Sequence, residues 1–411
     1  MQIKAVPGKI HEYATDALIV YLMEGDTGDS PDNATHTVNE ALGGLLTELI
    51  EAGDLTGKMG EIVVLHPCGA IAAKRVIVVG IGAADKFTAD VARRAVALGI
   101  QKARSLKVKH AATVTLGTGR GHLDAATSAQ AVAEGALLGS YRYAAKKSSP
   151  APEDLPETLD VLVYDDGDLS AAEQGIHIGE TIARGVILAR DLVNTPPNIC
   201  TPDYLAQTAE RIAEESGLEC QALVPKQIEA LRMGALLAVA QASEHQPRFI
   251  ILEYNADNKD LDTVVLVGKG VTFDTGGYSM KTFEGMSDMR GDMAGGAAVI
   301  GAMRAIAELG LPLHVVGLVP TADNMIDGKG YRPSDVITAS NGVTIEIIST
   351  DAEGRLLLAD ALVFAGRYNP SAVIDIATLT GGSSIALGGQ ASSLFTNNDP
   401  LKDVLLAAAD N

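Results

Sequence analysis

"VTIEIISTDAEGRLLLADALVFAGRY", residues 343 to 368, joins two apolar segments through a short polar one. The β-branched run "VTIEII" (343–348) reads as a strand, and "LLLADALVFAGRY" (356–368) reads as a helix. Strand, tight turn, helix is the unit from which α/β layers are built. The turn "STDAEGR" (349–355) sets two carboxylates two residues apart, followed by glycine and arginine. A merely solvated loop has no need of that combination between segments that read as buried.

The same alternation extends outward. "RFIILEY" (248–254), "DTVVLVGKG" (262–270), "HVVGLVP" (314–320) and "SAVIDIA" (371–377) read as further strands with helices between them. Towards the N-terminus, "DALIVYLM" (16–23), "GEIVVLHP" (60–67), "RVIVVGIG" (75–82), "HAATVTLG" (110–117) and "LDVLVYDD" (159–166) are strand-like. Helical patterns at 88–106 and 128–144 separate some of them, which predicts a mainly parallel sheet. "KKSSPAPEDLPE" (146–157) reads as a surface loop inside this first part. Ile178, Ile182, Val186 and Ala189 share one helix face within 169–193, and the prolines of "NTPPN" end that helix. Thr201-Pro202-Asp203 opens the next one with a hydroxyl cap, Pro at the first position and an acid in the first turn. The expected fold is α/β in two domains. A smaller N-terminal α/β domain (1–168) and a connecting helix (169–193) lead to a larger catalytic α/β domain (194–411) with a central mixed sheet.

The chain's 411 residues suit two cores rather than one. A formal charge of -20 argues against binding nucleic acid, whose phosphates call for clustered Lys and Arg. Three separated cysteines form neither a disulfide framework nor a zinc ribbon and suit a reducing compartment. The N-terminus lacks a signal-peptide pattern, and no apolar stretch is of membrane-spanning length, so a cytoplasmic location is expected. "GIGAAD" (80–85) and "GTGRGH" (117–122) follow strands but do not complete G-x-G-x-x-G, and they read as tight turns. A nucleotide-binding, catalytically idle α/β protein is the alternative they keep open. The eight histidines are scattered, with no H-E-x-x-H pair.

The dense chemistry lies between 266 and 292 and at 349–355. Lys269 ends a strand, and Asp274 follows in a turn with Gly276 and Gly277. Lys281 comes next, and Asp292 precedes the small-residue run "MAGGAAVIGAMRAIAEL" (293–309). Ligands of open parallel sheets collect at the carboxyl ends of strands. Lys269, Asp274, Asp351 and Glu353 all follow strands and can converge there, with Asp292 pointing in from a helix start. Four carboxylates in one crevice repel unless neutralised. Lys269, Lys281 and Arg355 could neutralise them as a salt-bridge network, or divalent cations could sit among the oxygens. An extended backbone at 351–353 would place both carboxylates on one face, and that spacing favours the ions.

"TDAEGRL" (350–356) resembles the N-T-D-A-E-G-R-L signature of the cytosolic leucine aminopeptidase family. "VGKGVTFDTGGYSMK" (267–281), "MRGDMAGGAAV" (289–299), "LVNTPPNICTPDYLA" (192–206) and "IATLTGG" (376–382) match its other blocks in order. The resemblance runs from about 185 to 390; the N-terminal domain is only loosely similar and is macro-like. It implies an exopeptidase with two divalent ions per subunit, Zn²⁺ or Mn²⁺, with Mg²⁺ or Co²⁺ as further candidates. The tight ion would take Lys269, Asp274, Asp292 and Glu353; the exchangeable one Asp274, Asp351 and Glu353. It implies that a hydroxide bridging the ions attacks the first peptide bond, releasing Leu and similar residues. Lys281 would be the electrophile. Bicarbonate held by Arg355, Ala352, Gly354 and Leu379 would shuttle the proton, and Met289, Ser349, Thr378 and Gly381 would line the substrate site with Lys281. A homohexamer, a dimer of trimers, is implied as well. A di-metal hydrolase of another ester or amide is the rival enzyme. Two departures stand out: Ser349 replaces the family's Asn, and Thr282 stands where Pro is frequent. The family runs on past Asn411, so the catalytic domain reads as short at its C-terminal end.

Overall fold

Strands buried along their length, whose alternate residues join different cores, show how each sheet acquires two covered faces. The structure is a computed structural model that describes residues 1–28, 34–118, 121–144, 154–258 and 260–409. The chain divides into two units, Met1–Ala183 with Ala407–Asn411, and Arg184–Leu406.

In the first unit six strands form one sheet. They are β1 (Gln2–Pro7), β2 (Ala17–Leu22), β3 (Ile62–Leu65), β4 (Val76–Gly80), β5 (His110–Val114) and β6 (Thr158–Val163). Their order is β1-β6-β5-β2-β4-β3, parallel except for β3 at the edge. Period-2 alternation splits β2: Ile19 and Tyr21 join one core with Ile77 and Val79, while Leu18, Val20 and Leu22 join the other. Helices α1 (Ala34–Ala41) and α2 (Leu45–Ala52) supply Val38 and Leu46 to the second core. Helices α3 (Ala89–Ser105) and α4 (Ala125–Ser140) cover the first. The expected strands are all present, and β1 is an addition that the sequence reading missed. "GIGAAD" forms a turn into a short 3₁₀ segment ahead of α3, which Thr88 caps. Gly119 and Arg120 of "GTGRGH", and residues 146–153 of the expected surface loop, lie outside the described residues.

Helix α5 (Leu169–Asn194) fulfils the periodic pattern and stops ahead of Pro196. The second unit continues with α6 (Pro202–Ser216), β7 (Glu219–Leu223), α7 (Pro225–Ala230), α8 (Gly234–Ala240) and β8 (Arg248–Tyr254). Thr201 caps α6 as the sequence predicts, accepting from the Tyr204 amide at 3.3 Å. Next come β9 (Thr263–Gly268), β10 (Gly270–Asp274), α9 (Phe283–Met286), α10 (Ala294–Leu309) and β11 (His314–Asn324). The chain closes with β12 (Val336–Thr338), β13 (Thr344–Glu346), α11 (Gly354–Ala365), β14 (Ala372–Ile376), α12 (Gly381–Leu387) and α13 (Asp399–Ala409). The sheet runs β14-β9-β11-β8-β7, with β10 also on β11. It is mixed, because β8 is antiparallel to β11 and β7 whereas β9, β10 and β14 run parallel to their neighbours. Phe249 and Ile251 of β8 pack with α8 and α11, while Ile250 and Leu252 pack with α6 and α10. Helices therefore cover both faces, as a buried parallel core requires.

Two local expectations are corrected. Asp274 is the last residue of β10 rather than part of a turn, because the strand breaks at Lys269 and resumes. At the break the Lys269 amide donates to the Ile376 carbonyl, and the Lys269 carbonyl accepts from Gly296. The run 343–348 is not a buried strand of the main sheet. Only Thr344–Glu346 is a strand, in a two-stranded ribbon with β12, and Ile348 is 81% exposed.

Candidate metal centre

Four elements bring the predicted ligands together. Lys269 lies at the β9/β10 break and Asp274 ends β10. Asp292 sits two residues before α10, and Glu353 is the residue ahead of α11. Helix α11 is itself pinned by the buried Asp360, which accepts from the amides of Ala235, Leu236 and Ser340 at 2.8–3.0 Å.

Lys269, Asp274, Asp292 and Glu353 are buried; Asp351 is partly open, its side chain 38% exposed. Lys269 Nζ lies 2.8 Å from Asp292 Oδ1 and 2.8 Å from Glu353 Oε1, and donates to the Thr378 carbonyl at 2.9 Å. Lys281 Nζ lies 2.8 Å from Asp274 Oδ2 and 2.5 Å from Asp351 Oδ1. The two clusters adjoin, since oxygens of Asp274, Asp351 and Glu353 all fall within 4.8 Å of one another. Gly354 leaves room for the Lys269 side chain: a Cβ on it would stand 2.5 Å from Lys269 Cε and 2.8 Å from Nζ.

The backbone at 351–353 is not extended. Asp351 is in a turn and Glu353 is already helical, at φ -66° and ψ -38°. The carboxylates therefore converge through folding of the loop rather than through strand alternation.

Burial raises the Asp292 carboxyl, Lys269 opposes that and Glu353 adds to it, leaving it pushed up to about 7. For Lys269, burial favours the neutral amine, but Asp292 and Glu353 outweigh it and hold the pKa above the ordinary lysine value. Lys281 behaves alike: desolvation is overcome by its bonds to Asp274 and Asp351, so its pKa is raised.

Asp292 Oδ2 and Glu353 Oε2 are buried without a hydrogen-bond partner. An unpaired buried carboxylate oxygen is costly unless a cation takes it. These orphaned oxygens, beside a three-carboxylate cluster, fit a divalent metal pair.

Other predicted residues fall around this centre. Thr378 Oγ1 donates to Asp292 Oδ1 at 2.8 Å, and Ser349 Oγ accepts from the Asp351 amide at 3.2 Å. Thr378, Leu379 and Gly381 are exposed, and Met289 is partly exposed. Arg355 is exposed and, among the described residues, makes no side-chain hydrogen bond or ion pair. The Ala352 amide turns onto the Ser349 carbonyl at 3.3 Å, while Gly354 and Arg355 open α11. The sequence reading missed Asn324, Tyr331 and Thr350, which are buried behind Asp274 and Asp351. Asn324 stayed hidden because β11 was expected to end at Pro320; at its true end it meets the strand-terminus rule.

The family model of the catalytic domain of the cytosol aminopeptidases matches residues 187–411, and that of their N-terminal domain matches 18–150. The chain belongs to the cytosol aminopeptidase family. It is 43% identical over 411 residues to a probable cytosol aminopeptidase of Roseiflexus castenholzii, covering all of this chain and 81% of that one. A Burkholderia cenocepacia relative of the same description is 42% identical, covering 96% and 78%. Among solved structures, a mutant tomato leucine aminopeptidase superposes with TM-score 0.88 at 33% identity, covering 100% and 80%. The bottromycin maturation enzyme BotP in complex with Mn superposes with TM-score 0.81 at 33% identity, covering 97% and 80%. As a family member this chain is a metal-dependent aminopeptidase, a peptide hydrolase. Among the described residues, no helix is long and apolar enough to cross a membrane.

Proposed function

We propose that the chain removes N-terminal residues, Leu and similar side chains first, at a centre of two divalent ions. The observation that carries this is the pair of orphaned buried oxygens, Asp292 Oδ2 and Glu353 Oε2, beside the carboxylates of Asp274 and Asp351. Lys269, Asp274, Asp292 and Glu353 would hold the tight ion, and Asp274, Asp351 and Glu353 the exchangeable one. Zn²⁺ or Mn²⁺ suits this set, and Mg²⁺ or Co²⁺ is compatible with its oxygens. When bound, such a pair supplies Lewis-acid polarisation and activates water.

The chain's own residues do the rest. Lys269 must give up its proton to serve as a ligand, against the pull of two carboxylates. Lys281 keeps its proton at neutral pH, since its pKa is raised, and so can place positive charge on the scissile carbonyl oxygen as it becomes an oxyanion. Arg355, with no competing acid, is the residue that would hold bicarbonate, and the anion would supply a proton carrier. Gly354, Ala352 and Leu379 would contribute to that cradle. Met289, Ser349, Thr378 and Gly381 would line the substrate site, with the free α-amine held beside the residues of the exchangeable site. The substrate is thus a peptide with a free N-terminus, and the chain would act as a homohexamer in the cytoplasm.

The test strips the protein with chelator and restores Mn²⁺ or Zn²⁺ against leucine p-nitroanilide and its N-acetyl form. Two ions per chain and cleavage of the free amine alone are expected. Cleavage of the acetylated compound at a similar rate would refute the amine-anchored site.

A further inference from the structure

Asn324 stands between the two ligand segments and belongs to neither. It is the last residue of β11, fully buried, and in register with Asp274 at the end of β10. Its side-chain amide donates to Asp274 Oδ1 at 2.8 Å and to the Thr350 carbonyl at 3.0 Å. Both partners are acceptors, so the nitrogen must face them. The Thr350 carbonyl also accepts from the Tyr331 hydroxyl at 2.7 Å. Burial, with Glu353, Asp274 and Asp351 adding to it, keeps that phenol protonated and hence a donor. Two donors occupy the carbonyl's two lone pairs and fix the peptide leading into Asp351. Thr350 closes the network: its hydroxyl donates to the Gly276 carbonyl at 2.6 Å and accepts from the Ser279 amide at 2.8 Å.

We propose that Asn324 is a positioning residue for the metal centre, its amide setting the spacing between Asp274 and the Asp351–Glu353 segment, with Tyr331 bracing the same peptide. The proposal rests on the ligand assignment above. A carboxylate already held by one oxygen presents the other in a single orientation, so less order is lost when a cation binds. Partners of this kind are worth about 10–100-fold in metal affinity. Asn324→Ala removes both donors. Asn324→Asp keeps the shape but sets an acceptor against two acceptors.

Chelator-stripped wild type, N324A, N324D and Y331F are titrated with Mn²⁺ by calorimetry, and each stripped protein is also melted. Electron paramagnetic resonance of the loaded proteins reports the coupling between the two ions. The expectation is an affinity loss of about 10–100-fold for N324A and N324D, a smaller loss for Y331F, and altered coupling in all three. Wild-type affinity and coupling in the Asn324 variants would overturn the proposal. So would a lowered melting temperature of the stripped variants with Mn²⁺ affinity intact, since Asn324 would then serve the fold alone. Should the Asn324 variants not fold, Y331F decides, and unchanged affinity and coupling there overturn it. Wild-type protein that binds no Mn²⁺ would instead overturn the underlying ligand assignment.

Discussion

At Lys269 opposing effects meet. Burial favours the neutral amine, yet Asp292 and Glu353, each 2.8 Å away, outweigh it and keep the side chain charged. A metal must displace that proton, and below about pH 7 it must displace one from Asp292 as well. Protons held by the stripped protein oppose the ion, so Mn²⁺ affinity should rise with pH, most steeply below about 7, where both protons must leave. Titrations at about pH 6 and pH 8, either side of that value, in buffers of different ionisation enthalpy check the direction and count the protons released. Glu353 and Lys281 separate two roles. Glu353→Ala removes a proposed bridge and should abolish loading of the second ion, measured by elemental analysis. Lys281→Ala removes the proposed electrophile and should keep both ions while losing on the order of 100-fold or more in kcat. Retention of both ions and full rate by E353A, or loss of metal by K281A, would reassign the pair. The proposed ligands were legible because "VGKGVTFDTGGYSMK", "MRGDMAGGAAV" and "TDAEGRL" each hold them in a short local motif. Asn324 and Tyr331 were not, because their partners are 50 and 19 residues away.

Among the elements, α10 packs tightly against the strand ends beside the centre. A Cβ on Gly295 would fall 1.9 Å from the Ile376 carbonyl oxygen and 2.9 Å from the Lys269 amide nitrogen, both backbone atoms. Nothing there can rotate aside, so Gly295→Ala must push α10 off the ends of β9 and β14, carrying Asp292 with it. The expected cost is about 3 kcal/mol, at the upper end for overpacking. Urea unfolding should show a lowered midpoint and metal analysis a lost ion; an unchanged midpoint would mean the helix moves freely. The helix pattern of α10 was readable from its apolar spacing. That the chain breaks at Lys269 and resumes as β10 beyond the expected strand end was not, since the backbone partners at the break, Ile376 and Gly296, come from other segments.

Across the whole molecule, both units are α/β, but the proposed ligands all belong to Arg184–Leu406. A ligand stabilises only what binds it, by about 2.7 kcal/mol at a hundredfold excess over Kd. Hydrogen exchange should therefore slow in β9, β10, β11 and α11 on Mn²⁺ loading and stay unchanged in the sheet of Met1–Ala183. Protection spread equally over both sheets would contradict a site confined to the second unit. The proposed hexamer is measured separately, by sedimentation at several protein concentrations.

By itself the sequence determined the α/β class, the elements with strong apolar periodicity and the residues proposed to hold two cations. These are local matters: side-chain period, capping chemistry and candidate ligands gathered in three short motifs. Tertiary structure decided what depends on distant contacts. It placed "VTIEII" in a small exposed ribbon instead of the main sheet, and it carried β11 through Pro320 to Asn324. It also shaped "STDAEGR" as a turn running into a helix, where Asp351 and Glu353 converge through Thr350, Asn324 and Lys269 and not through strand alternation. The physical reason is that hydrogen bonds and burial between segments far apart in the chain leave no period in the sequence that makes them.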